Sequence, residues 1–231
     1  MLRWDGCVNV RDLGGYPTPH GGSTRFGSVV RSDNPARLSP RGWQELRAYG
    51  VRTGIGLRTV GAVDDEPADY HVPDDVKFVR VVTEDVTDRE FLDERVRNGL
   101  WGTPLYFAAA LRRWPARAAA SVGAVARAAP GGVVISCGRG CDRTGFLALL
   151  LLHLCGVLAA DIASDYALSM EQMIERNPGY AEELMKLLER HETTIERAIA
   201  AVVAEPILET LTIGGLKAEE LEALRVRLLE P

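Results

Sequence analysis

The chemistry in this chain gathers in Val133-Val134-Ile135-Ser136-Cys137-Gly138-Arg139-Gly140-Cys141-Asp142-Arg143-Thr144-Gly145, where five residues separate a cysteine from an arginine. Val133 to Ser136 is a short apolar, β-branched run of the kind that forms a buried strand. The Leu-rich stretch from Phe146 onward reads as a buried helix. A tight loop running from a strand into a helix N-terminus can curl its backbone N–H groups inward as an anion nest, reinforced by the helix dipole. Gly138 and Gly140 allow the positive φ values such winding demands. Arg143 adds a planar fork able to grip two phosphate oxygens. A cysteine at the start of such a loop sits in a field that favours the thiolate, a nucleophile aimed at phosphorus. Thr144 can hydrogen-bond the sulfur, and Asp142 is the nearest acid for a departing oxygen.

The other cysteines serve as an internal control. Six residues after Cys7, Cys141 and Cys155 stand Leu13, Leu147 and Asp161, so only Cys137 has the arginine. Cys137 and Cys141 form C-x3-C, a poor match to zinc spacing with no second ligand pair, so no metal is expected. A redox pairing of these two thiols is chemically open. With 231 residues and a net charge of −5, the chain can bury a sizeable core and has no polybasic tract for nucleic acid or an acidic membrane. The first residues lack an export pattern, and four cysteines without framework spacing suit a reducing compartment, so a cytoplasmic location is expected. The longest apolar run, 146–160, is too short to span a bilayer and carries His153 and Gly156.

Around the loop, the pattern predicts a strand within 25–31, a helix opened by Ser39-Pro40 and closed by Gly50, and a core strand over 51–58 weakened by Gly54 and Gly56. Residues 59–75 read as a surface loop, and 76–82 alternates as a strand. Residues 88–129 are helical, with breaks near 99–104 and at Pro115. Beyond the loop come helices at 143–155, 159–175, 180–204 (interrupted) and 217–229, with breaks at Gly156, Pro178, Pro206 and Gly214-Gly215. The order implies an α/β fold in one domain, 1–231: a central sheet of four to five mostly parallel strands flanked by helices. Residues 1–160 would form the core, with inserted helices 88–129 that could cover the site, and 161–231 a helical C-terminal part. The loop then lies at the carboxyl end of a core strand, where such sheets place ligands.

Several separated motifs, in order, resemble the bacterial protein-tyrosine/serine phosphatases of the cysteine-dependent superfamily, which are similar to dual-specificity phosphatases and include members acting on phosphoinositides. Asn9-Val10-Arg11-Asp12-Leu13-Gly14-Gly15-Tyr16 matches that family's opening, and Val30-Arg31-Ser32-Asp33 its Arg-Ser-Asp turn. Leu57-Arg58-Thr59, the Cys137 loop, Asp165-Tyr166-Ala167-Leu168-Ser169 and the Leu224 to Leu228 tail also match. The resemblance implies Cys137 as nucleophile, Arg143 as phosphate ligand and Asp142 as general acid. Gly138, Arg139, Gly140, Cys141 and Thr144 would complete the substrate loop, with Asn9, Arg11 and Asp12 near it. Arg11-Asp12 also reads as a surface pair beside a turn, and Arg31 and Arg58 as structural partners or substrate contacts. Four residues depart from the family pattern: Ser136 for a His, Cys141 for a Lys, Gly56 for an acid and Ala62 for a Glu. Arg139 either restores the charge lost at 141 or points into solvent.

The expected activity is phosphomonoester hydrolysis without cofactor or metal, on phosphotyrosine in a protein partner and then on phosphoserine or phosphothreonine. Loss of the Lys argues against phosphoinositides. The alternatives are a low-turnover phosphoprotein-binding module and a thiol-dependent reductase using Cys141. Asp64 or Asp65 is the substitute acid should Asp142 not serve.

Overall fold

A computed structural model of the chain describes residues 1–19, 21–61 and 72–230. Ala62, Asp64 and Asp65, and most of the expected 59–75 loop, lie outside the described residues. Five strands, β1 (Arg11–Asp12), β2 (Val29–Ser32), β3 (Val51–Val60), β4 (Lys77–Asp85) and β5 (Gly132–Ser136), form one sheet in the order β1-β2-β5-β3-β4. Only β1 runs antiparallel, against β2; the other pairings are parallel. The α/β class and the mostly parallel sheet are as the sequence implies. The helices are α1 (Pro40–Ala48), α2 (Arg89–Arg97), α3 (Phe107–Arg113), α4 (Pro115–Ala126), α5 (Asp142–Leu154), α6 (Ala159–Met173), α7 (Pro178–Arg190), α8 (Ile195–Val203), α9 (Ile207–Ile213) and α10 (Ala218–Leu228).

Strand side chains alternate between two cores, as the period of two requires. Val30, Val51 and Val134 join Trp4, Val10, Leu38, Trp43 and Leu46 on one face, beneath α1 and the N-terminal segment. Val29, Ile55, Leu57, Val133 and Ile135 face the larger core with α3 to α6 and the C-terminal helices. Strands buried on both faces read as continuous apolar runs, which is why β5 was legible. Gly54 and Gly56 do not weaken β3, the longest strand. A Cβ would meet the Phe78 ring of β4 at 2.1 Å from Gly54 and 3.1 Å from Gly56, so the bare backbone is the seat for that ring.

Ser39 caps α1 by accepting from the Gly42 amide at 3.1 Å, with Pro40 in the first turn. Pro115 begins α4 where α3 ends, and the long C-terminal helix is broken between α7 and α8. The helix α9 was not expected. Pro206 and Gly214 bound it so closely that only its packing, with Ile207 and Leu211 buried, declares it. Among the described residues no helix is long and apolar enough to cross a membrane.

The helix that follows the loop, α5, is buried on nearly all sides, with Leu147 and Leu149 to Leu152 inaccessible or nearly so. It cannot shift without repacking the core, so it fixes where its first turn points. Leu150→Ala should therefore lower unfolding free energy by about 2–5 kcal/mol in urea denaturation; a loss below about 1 kcal/mol would show that the site collapses around the cavity.

Candidate active site

Cys137 follows β5 directly, the chain turns through 138–141, and α5 begins at Asp142. Gly140 carries the turn with φ +71°, and a Cβ there would lie 2.6 Å from the Ser32 carbonyl oxygen. Both conformation and contact exclude a side chain. Of the two glycines that allow positive φ, Gly140 alone uses it and Gly138 does not.

Three neighbours draw three successive loop carbonyls outward. Arg37 Nη1 donates to Gly138 O at 3.1 Å, Asn9 Nδ2 to Arg139 O at 3.1 Å and Arg31 Nη2 to Gly140 O at 2.7 Å. In a trans peptide the N–H points opposite to the C=O. The amides of Arg139, Gly140 and Cys141 are thus turned to the loop's inner side. Among the described residues the Arg139 and Gly140 amides donate to no loop or turn carbonyl. Inward amides at the N-terminus of a buried helix make an anion cradle.

The donors are themselves held from below. Arg11 Nε donates to Asp165 Oδ1 at 2.7 Å, its Nη1 to Asn9 Oδ1 at 2.6 Å and its Nη2 to Ser169 Oγ at 2.8 Å. Arg31 pairs with the other Asp165 oxygen and also reaches Ser169 Oγ at 3.1 Å. All of this lies out of contact with solvent. Burial alone would raise the Asp165 pKa, but Arg31 and Arg11 outweigh it and hold the carboxyl below its ordinary range. Two guanidiniums against one carboxylate leave a buried net positive charge under the loop. Arg11 and Arg31 are therefore structural supports. Asp12 stands apart, accepting from the Gly14 and Gly27 amides and the Tyr49 hydroxyl.

Arg143, in the first turn of α5, donates to the Leu57 carbonyl at 3.0 Å, with Glu84 of β4 3.9 Å from its Nε. Glu84 accepts from Thr59 Oγ1 at 2.9 Å and Tyr106 OH at 2.8 Å, and burial raises its pKa. Both oxygens of Asp142 are engaged: Oδ2 by Arg139 at 2.6 Å and Oδ1 by the Tyr180 hydroxyl of α7 at 2.6 Å. The Arg139 guanidinium also lies over the Tyr180 ring, 4.6 Å from its centre. It does not point freely into solvent. Gly102 sits beside this pair, with a notional Cβ 3.6 Å from the Asp142 carboxyl carbon.

Cys141 offers the cradle its backbone amide, not its side chain. Its thiol is fully buried, donating to Arg139 O and accepting from Asn9 Nδ2, each at 3.5 Å, and burial pushes its pKa well up. A small apolar thiol is at home in this interior position, where an ammonium would not be. Thr144 and Ser136 are likewise fully buried, their hydroxyls unpartnered among the described residues. Arg58 is buried at the end of β3, with the space beside Gly56 filled by Phe78 and its own guanidinium.

Glu84 and Tyr180 went unseen in the sequence. Glu84 ends an alternating strand and Tyr180 lies on an amphipathic helix, and neither pattern marks chemistry. Asp165 and Ser169 lay in a recognised motif without an assigned role.

Removing Asp165 tests the support. Breaking a buried ion pair costs about 3–5 kcal/mol, so Asp165→Asn should destabilise by that order at pH 7 in urea. Because the folded pKa is depressed, the stabilisation is present above the unfolded value of about 3.9 and is lost as pH falls through the folded one. The gap between wild type and variant should thus narrow below about pH 4; a gap independent of pH would contradict it.

A model described as the tyrosine phosphatase family matches residues 2–230. A Cupriavidus necator protein named "Putative tyrosine-protein phosphatase" is 30% identical over 182 residues, 76% of this chain and 65% of that relative. The match thus spans just under two thirds of the relative's length. An anion cradle at the carboxyl end of β5, and a family match that runs through every element supporting it, lead to one conclusion: the chain belongs to the tyrosine phosphatase family.

Proposed function

We propose that the loop 137–143 hydrolyses phosphomonoesters through a phosphocysteine at Cys137, with phosphotyrosine in proteins the preferred substrate and phosphoserine or phosphothreonine next. The observation that carries this reading is the outward pull on the carbonyls of Gly138, Arg139 and Gly140, which frees inward amides beside Cys137. The role proposed for Arg143, which donates to Leu57 O with Glu84 near its Nε, is to grip the phosphate oxygens.

In the first step the Cys137 thiolate attacks phosphorus. The S–P bond forms, the P–O bond to the leaving group breaks, and the leaving oxygen takes a proton from Asp142. In the second, water attacks the phosphocysteine, Asp142 accepts its proton, and the S–P bond breaks to return the thiolate and phosphate. Thr144, whose hydroxyl has no other partner among the described residues, can stabilise the leaving sulfur. Amides and Arg143 offset the charge on the transferring group. With Arg139 on Oδ2 and the Tyr180 hydroxyl on Oδ1, Asp142 acts as acid only once one of these contacts has rearranged to let its O–H face the leaving oxygen.

That same engagement of both Asp142 oxygens favours a second reading, a loop that binds phosphoryl groups with little turnover. Nitrophenyl phosphate hydrolysis separates the two. Activity that survives a chelator and disappears in Cys137→Ser is expected. No hydrolysis by wild type, with vanadate still shielding Cys137 from alkylation, would favour the binding module. Asp142→Asn should slow alkyl phosphates, which need proton assistance, at least tenfold more than nitrophenyl phosphate; equal losses would move the acid role to another residue.

A further inference from the structure

Beside the loop runs a groove of about 380 Å³, with Arg139 contributing to its lining. One wall is the segment Gly99 to Thr103, with the Trp101 indole exposed and Gly102 against Asp142 and Arg139. The other is α7, whose residues 180, 184 and 187 recur at helical spacing and are buried along the groove. Flanking that stripe, Lys186 and Arg190 stand exposed on the rim.

The charge of this groove is opposite to that of the chain. Arg139, whose charge is met by Asp142, lines it together with Lys186, Arg190 and one carboxylate, Glu183, whose Oε1 lies 3.9 Å from the notional Cβ of Gly179 and so leans back toward the start of α7. Lys186 is paired with Glu182, one turn away, and both are about two-thirds exposed, with Glu183 also near enough to act on its charge. So exposed a pair is weak and exchanges readily for an incoming anion. Arg190 has no carboxylate partner among the described residues. An extended peptide whose phosphorylated residue enters the cradle would lay its neighbours along this groove, one or two residues being enough to reach a helix turn beyond Arg139.

We propose that this groove reads an acidic side chain next to the phosphorylated residue of a peptide substrate, through Lys186 and Arg190, with Trp101 as the apolar wall. The inference rests on the phosphatase reading of the loop and deepens it. Lys186 and Arg190 touch none of the loop's hydrogen bonds, so their removal leaves the chemistry intact.

The test compares phosphotyrosine peptides carrying Asp or Ala at the flanking positions, using wild type and Lys186→Ala/Arg190→Ala. Wild type should prefer the acidic peptides by about threefold to tenfold in kcat/KM, chiefly through KM, and more so at low salt. The double variant should lose that preference while its nitrophenyl phosphate kinetics stay unchanged. A preference kept in the double variant would overturn the proposal, as would an equal fall on nitrophenyl phosphate. So would a loss confined to phosphoinositide in vesicles, which would assign the groove to a lipid head group. The same peptides titrated onto Cys137→Ser by fluorescence anisotropy read the groove without turnover. Acidic preference there, with no hydrolysis by wild type, would sustain the groove while the hydrolase reading fails.

Discussion

Everything at the mouth depends on the buried ion pairs of Arg11 and Arg31 with Asp165. Charges taken out of water cost several kcal/mol each, and the cost is met only while every partner is in place. Here it is met in large part: Asp165 uses both carboxylate oxygens and its backbone carbonyl, and Ser169 receives both guanidiniums, while Arg31 Nε is left without a hydrogen-bond partner among the described residues. What the arrangement yields is direction. Arg31 reaches up through Nη2 to the Gly140 carbonyl, and Arg11 steadies Asn9, which holds the Arg139 carbonyl. The loop is thus turned inside out by groups that never touch a ligand, and the uncompensated positive charge beneath it favours an anion above.

The C-terminal helices belong to this machinery. Asp165 and Ser169 come from α6 and Tyr180 from α7, so the candidate acid and the loop supports draw on residues well past 160. A division into a 1–160 core and a helical appendage does not describe how the site is held. The inserted 88–129 region meets the loop through the Gly99 to Thr103 turn after α2, which lies beside Asp142 and bounds the groove; α3 and α4 serve chiefly to fill the larger core.

The parts legible in the sequence were those with local causes. A β-branched run bounded by glycines gave β5, a Ser-Pro pair opened α1, and cysteine-to-arginine spacing marked the loop. The parts that were not legible depend on contacts between distant residues. Gly54 and Gly56 read as weak points because the ring that lies on them arrives from β4. Cys141 read as a ligand contact because loop position alone cannot show that its thiol faces Asn9 and α6. Glu84 and Tyr180 were silent because a carboxylate or phenol becomes notable only beside the charge it serves. The helix α9, seven residues between two breakers, carries too little periodicity to be read from sequence.

The central claim is that the inward-turned loop makes Cys137 the phosphoryl acceptor. Rapid denaturing quench of wild type mixed with radiolabelled phosphotyrosine peptide, followed by peptide mapping, tests it most directly. Label should reside on the peptide containing Cys137, appear within the first turnover, and accumulate further when Asp142→Asn slows its hydrolysis. Phosphate released at the same rate with no label on Cys137 at any time would contradict the account.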